Sequence, residues 1–268
     1  MAIPRETTLP RVLLFMLLVF LVVVMSPLVS ILFEGALFET LAILVFFLTF
    51  ALFYALPAYF VRMDGGNSIE ELGIQWEDNT MVQIAIGAIA GTLAAVLVLV
   101  IAVAFGGETR PIAEMTGDLI IGEIIITTPT AFFEELVHRG YILPRLESLF
   151  TKSVAVVVSS LFFALSHFSW WLVVGGRPDL ILIFTFNMFL GGVVLSLSYY
   201  ISGRRLWVPI GFHFMWNMVA YVTFIDFPRT PVLVPHLFQI EWGVTTILGF
   251  LFGLSLVWGL WLSYGKKE

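Results

Sequence analysis

Runs of roughly twenty apolar residues, each long enough to cross the ~30 Å hydrocarbon core of a bilayer as a helix, follow one another along almost the whole of this chain. Eight are read, at about residues 12–33, 37–60, 81–105, 118–138, 153–173, 180–202, 206–225 and 240–263. A segment surrounded by lipid must satisfy its own backbone hydrogen bonds, which makes each run a helix. The expected fold is therefore an all-α polytopic membrane protein, a single integral membrane domain over 1–268 with eight transmembrane helices. Composition agrees: of the 268 residues, 60% are hydrophobic and 12% charged, against about 45–50% and about 25% in soluble domains. A water-soluble globule of this size has no interior large enough for that much apolar surface, so a soluble enzyme and a disordered chain are excluded. Nineteen acidic residues against 13 basic ones, a formal net charge of −6, argue against nucleic acid as a partner. With no cysteine, disulfides, thiolate metal sites and cysteine nucleophiles are excluded as well.

The first run is not followed by a small-residue cleavage site and is read as a retained anchor. An N-terminus in the cytoplasm places Arg5, Arg11, Arg62, Arg139, Arg145, Lys152, Arg204, Arg205, Lys266 and Lys267 inside, and only Arg110, Arg177 and Arg229 outside. The positive-inside rule favours that orientation, with both termini cytoplasmic. The polar stretch 62–79 becomes a cytoplasmic loop with a short amphipathic turn at Ile69–Leu72. Gly87/Gly91 and Gly249/Gly253 have the spacing that lets helices pack closely within a bundle. Pro129 and Pro144 bracket the most polar helical segment, where a kink or break is expected.

Ionisable side chains inside a span cost a few kcal/mol each and usually mark function. The inventory is Glu123, Glu134, Glu135, His138 and Arg139 in the fourth run, His167 in the fifth, and His213 with Asn217 in the seventh; Asn187 in the sixth is a weaker member. Glu135 and Arg139 are four apart, so they are placed to form an ion pair along one helix face. Glu134 lies about 100° round the helix from its neighbour and points elsewhere, toward the bundle interior. One carboxylate is then neutralised and the other left available as a general base. The competing reading is a cluster snorkelling at the cytoplasmic end of the helix, which suits Arg139 and His138 better than two adjacent glutamates.

Phe163 and His167 are also four apart, which lets the ring wall the pocket that holds the imidazole. A lone histidine on an apolar helix is as readily a packing residue as a catalyst. His213 and Asn217 share a face and present two hydrogen-bonding groups, as an oxyanion hole requires; the plainer reading is an interhelical hydrogen bond. At 1.5 Å per residue, His213 lies about 10 Å and Asn217 about 16 Å from the cytoplasmic end of their run. Glu134 comes out at a similar level and His167 somewhat deeper, so the three helices can converge in the cytoplasmic half of the bilayer.

Taken in order, Glu134-Glu135-x-x-x-Arg139, Phe163-x-x-x-His167 and His213-x-x-x-Asn217 resemble the CPBP family of intramembrane endopeptidases, the CaaX proteases and bacteriocin-processing enzymes. The motif core covers about 130–217, and Gly140, Trp207-x-Pro209 and Leu72-Gly73 are similar to family features too. The resemblance implies eight helices around a conical catalytic cavity open toward the cytoplasm or laterally to lipid. It also implies roles: Glu134 activates a water with His167 holding it, His213 and Asn217 stabilise the oxyanion, and Glu135, Arg139 and Phe163 support the site. No metal or other cofactor is expected, and the partners are a peptide or prenylated-protein substrate and the lipid bilayer.

Two other readings stay open. Glu134, His167 and His213 would also make a His₂Glu set for a zinc-dependent intramembrane protease, although neither histidine lies in H-E-x-x-H. A non-proteolytic scaffold or immunity protein could share the fold, though here the motifs are complete. A proton-coupled carrier would show inverted repeats and matched broken helices, and none is visible.

Overall fold

The computed structural model describes residues 7–107, 109–173, 177–224 and 238–265, and among these every regular element is helical. In chain order they are α1 (Leu9–Leu32), α2 (Gly35–Met63), a 3₁₀ turn (Ile69–Leu72), α3 (Thr80–Ala104), a second 3₁₀ turn (Ile112–Glu114) and α4 (Gly117–Glu135). A π-helix (Leu136–Ile142) then leads directly into α5 (Leu143–Leu149), followed by α6 (Lys152–Ser166), α7 (Ser169–Val173), α8 (Pro178–Ile201), α9 (Trp207–Thr223) and α10 (Thr245–Gly265).

Five helices, α1, α2, α3, α8 and α10, are long and apolar enough to cross a membrane, and this is an integral membrane protein. Large apolar side chains such as Leu32, Phe47, Val100 and Leu182 stand exposed on them, an outer surface that matches lipid rather than water. The other three expected spans do not meet the same measure, and the reasons are physical. The 19-residue α4 carries Asp118, Glu123, Glu134 and Glu135, while α6 has 15 residues and α9 has 17. At 1.5 Å per residue those two helices reach only about 22–26 Å. Runs expected to be continuous are also divided. The run 118–138 passes from α4 into the π-helix at Leu136, and the run 153–173 stops at Ser166, with His167 as the C-cap of α6. The π-helix is the irregularity expected between Pro129 and Pro144; Pro129 itself stays inside α4, and Pro144 stands just after the π-helix, where the N–H it lacks removes a hydrogen bond from a continuous helix.

Of the cations used to orient the chain, Arg5, Arg229, Lys266 and Lys267 lie outside the described residues. Arg145 is buried and bonds Asp64, which also accepts from Arg11 of α1 at 2.9 Å and from the Tyr141 hydroxyl at 2.9 Å. This carboxylate ties the ends of α1 and α2 to the π-helix and α5. Nearby, Glu147 accepts from Arg204 and Tyr200. Burial pushes its carboxyl up, but those bonds and the charges of Arg204 and Lys152 outweigh it and hold the group below the usual carboxylate range.

The helix that carries His213 and Asn217, α9, lies between α3, α4, α8 and α10, and small residues let it sit so deep. A Cβ on Gly87 or Gly91 of α3 would run into the α9 backbone at Val208 or Phe212, and one on Gly211 would lie 2.5 Å from the Ile84 carbonyl of α3. On α10, a Cβ on Gly253 would stand 2.7 Å from the Phe212 ring, and one on Gly249 would stand 2.6 Å from Val98. Both glycine pairs therefore serve packing inside the chain, as their spacing predicts. Gly91→Leu is expected to destabilise the protein by at least about 1–3 kcal/mol, because backbone cannot move aside as a side chain can. Gly259→Leu, with nothing within 4 Å, is expected to change stability by no more than about 0.5 kcal/mol. Melting curves of the two detergent-solubilised variants check the contrast.

Candidate active site

The two glutamates that close α4 point in different directions because consecutive residues of a helix are turned by about 100°. Glu135 points inward and is fully buried. Its Oε1 accepts from Arg139 Nη1 at 2.9 Å and from His213 Nδ1 at 2.9 Å. Arg139, also fully buried, donates its Nη2 to the Gly192 carbonyl of α8 at 3.1 Å and lies over the Phe163 ring of α6, 4.4 Å from the centroid. One ion pair thus touches α4, the π-helix, α6, α8 and α9. Neither Arg139 nor His138 snorkels: His138 is 2% exposed and packs on the rings of Phe162 and Phe163. That reading is corrected, because the π-helix turns both side chains toward α6 and α8 rather than toward a water-facing end.

Glu134 turns instead to a cavity of about 400 Å³, and His167, His213, Asn217 and Phe163 line the same space. His167 caps α6, and its Nδ1 stands 2.7 Å from the Phe163 carbonyl. A carbonyl can only accept, so Nδ1 carries the proton and Nε2 is the ring atom turned to Glu134. On α9, the bond to Glu135 likewise takes up Nδ1 of His213 and leaves Nε2 turned to Glu134. Both Nε2 atoms lie 3.9 Å from the same oxygen, Glu134 Oε2, too far for a direct hydrogen bond. That oxygen has no hydrogen-bond partner. Asn217 follows His213 by one turn and borders the cavity beside it. The seven residues singled out in the sequence are therefore gathered at one place, Glu135 and Arg139 behind the cavity wall and the others on it.

Sequence reasoning missed part of the lining. Thr127, Thr130, Tyr221 and Glu241 border the cavity, as does Glu123, which was in the inventory without a role. A legible signal existed on α4, where Glu123, Thr127, Thr130 and Glu134 recur at helical spacing. Asn187 lies outside the cluster; its Nδ2 donates to the carbonyls of Glu241 at 2.8 Å and Gly243 at 3.0 Å, so it holds the turn before α10. Among the described residues, no three His, Cys, Asp or Glu side chains form a group arranged to hold a metal ion.

Glu135→Ala leaves Arg139 buried with its charge unmatched, and is expected to cost about 3–5 kcal/mol of stability. Thermal melting and expression of solubilised protein, run beside Glu135→Gln, measure this; a melting temperature unchanged in Glu135→Ala would show that the ion pair does not organise the site.

Residues 116–219 match the family model described as Rce1-like, type II CAAX prenyl endopeptidase Rce1-like. No curated protein matches the chain. The matched stretch runs from the start of α4 into α9 and contains Glu134, Glu135, Arg139, Phe163, His167, His213 and Asn217, so the resemblance drawn from the three motifs is borne out. The segment that supplies most of this cavity's lining is thus similar to the Rce1-like type II CAAX prenyl endopeptidase family, a family of proteases.

Proposed function

We propose that this protein is a glutamate-dependent intramembrane endopeptidase that hydrolyses a peptide bond near the cytoplasmic leaflet, with CaaX-type processing of a prenylated protein as its substrate class. The observation that carries this reading is the position of Glu134 Oε2, 3.9 Å from Nε2 of both His167 and His213 at the wall of a cavity. Separations of this kind are spanned by a bridging water. In the neutral ring, His167 Nε2 is an acceptor, as is the Glu134 carboxylate. A water between them donates one O–H to each and keeps a lone pair free for attack. Such a water has no third proton, so His213, whose Nδ1–H rests on Glu135, serves as the imidazolium and donates from Nε2.

The chemical steps follow. The water oxygen bonds to the scissile carbonyl carbon as Glu134 takes its proton. The resulting oxyanion is met by His213 Nε2–H and the Asn217 side-chain amide. On collapse the C–N bond breaks and Glu134 returns the proton to the leaving amine. Phe163, stacked under Arg139 and beside His167, holds both in place. The scheme uses side chains alone and calls for no metal. Aromatic walls such as Trp170, Phe184 and Trp216 suit an apolar or lipid-modified substrate. In the same reading α4, α6 and α9 complete an eight-span bundle, one integral membrane domain with both termini cytoplasmic.

Glu134→Ala is expected to abolish turnover while the protein still folds, since removing a charge from a low-dielectric wall relieves a desolvation cost. Asn217→Ala is expected to lose about 10²–10³ in kcat with little change in KM. Purified protein assayed on prenylated CaaX peptides and on unmodified peptides, beside melting curves, tests both. Near wild-type cleavage by Glu134→Ala would end the glutamate mechanism, and the absence of turnover on every peptide would favour a non-proteolytic scaffold. A reporter fused to the C-terminus is expected to read as cytoplasmic.

A further inference from the structure

The cavity extends beyond the hydrolytic cluster, and that part has a polar side which the mechanism above does not use. Glu123, Thr127, Thr130 and Glu134 stand at i, i+4, i+7 and i+11 of α4, which places them on one face, and all four line the cavity. The face runs about 16 Å, the length of about five residues of extended peptide at ~3.3 Å each. Thr127 is 1% exposed and its hydroxyl has no hydrogen-bond partner. Five other helical threonines use theirs: Thr40, Thr92, Thr130, Thr185 and Thr223 each bond the carbonyl four residues earlier. A hydroxyl buried without a partner is costly, and a bound polar group at this wall removes that cost.

Glu241 reaches the same cavity from the turn before α10. Its φ is +67°, a left-handed conformation that a residue with a side chain rarely adopts. The backbone is held there from both sides: its N–H donates to Thr246 Oγ1 at 2.8 Å and its carbonyl accepts from the fully buried Asn187 at 2.8 Å. The residue is 9% exposed and lines the cavity together with Trp216, one turn beyond His213. Among the described residues, the lining contains the carboxylates of Glu123, Glu134 and Glu241 and no lysine or arginine.

We propose that this part of the cavity is a subsite for a cationic side chain of the substrate, a lysine ammonium or arginine guanidinium within about five residues of the cleaved bond. Glu241 receives the cation, and Glu123 and Thr127 face it from α4. The proposal rests on the peptidase reading, since it supplies that reaction with a substrate preference. Its physical basis is that a carboxylate in apolar surroundings discriminates strongly: a cation satisfies it, whereas a neutral isostere of the same shape leaves it unpaired.

The test walks one lysine through the positions flanking the cleaved bond of a peptide, against norleucine at the same position, so that only the charge changes. Cleavage by full-length solubilised protein is measured as kcat/KM. Binding of the same peptides to the Glu134→Gln variant is measured by fluorescence anisotropy. At one position the lysine peptide is expected to be bound and cut about tenfold better than its norleucine partner. In Glu241→Gln that ratio falls toward one, and in Thr127→Val it falls part of the way. An equal preference at every position in the unmutated protein overturns the subsite, as does a ratio that survives Glu241→Gln. Because the unmutated ratio decides by itself, a variant that fails to fold does not shield the proposal. Lysine-selective binding without cleavage keeps the subsite and sinks the peptidase reading. Cleavage that ignores charge does the reverse, and peptides that are neither bound nor cut end both.

Discussion

The charge on Glu135 is the constraint around which this bundle is arranged. Two opposite charges, both fully buried, need close partners in a low-dielectric interior, because each ion gives up several kcal/mol of hydration; Glu135 Oε2 and Arg139 Nε have none, so the contacts of the other atoms carry the pair. Here Glu135 Oε1 takes Arg139 and His213 together, and Arg139 goes on to the Gly192 carbonyl and the Phe163 ring. Partnering one carboxylate oxygen and the arginine beside it therefore sets how α6, α8 and α9 approach the end of α4. The orientation of the His213 ring follows, with Nδ1 committed and Nε2 presented to the cavity. The direction of Glu134 follows too, since a helical neighbour of an inward-pointing residue is turned to another side.

Helix length and polarity trade against each other across the fold. The helices that bring functional groups to the cavity, α4, α6 and α9, are the charged one and the two short ones, whereas the five long apolar helices supply a frame. Glycines make this workable. Gly87, Gly91 and Gly211 let the backbones of α3 and α9 nearly touch, and Gly253 admits the Phe212 ring. A helix held by such close contacts keeps His213 and Asn217 at a constant depth, as the oxyanion donors of the proposed mechanism require. His167 gains its position differently, at the end of a helix, where the Phe163 carbonyl is free to fix its tautomer.

Glu241 lies outside the stretch 116–219 that matches the family model, while the hydrolytic cluster lies within it. In the proposed reading, chemistry and selectivity are carried by different parts of the chain around one space. The strained turn of Glu241, pinned by Asn187 and Thr246, gives a buried polar residue of α8 a purpose that its own position in an apolar run does not reveal.

Read alone, the sequence determined that the chain is helical and membrane-embedded, because apolar runs of bilayer length leave no other stable arrangement of backbone polar groups. It also determined the Glu135–Arg139 pairing and the shared face of His213 and Asn217, since a spacing of four residues places side chains together in any helix. Only the tertiary structure decided that His213, 78 residues away, is the second partner of Glu135. It alone decided that Arg139 and His138 are buried rather than snorkelling, and that Glu241 enters the cavity. Helical periodicity tells which residues share a face of one helix. It does not tell which other helix that face meets, and those choices come from the packing of distant glycines and from the demand of one buried charge for partners.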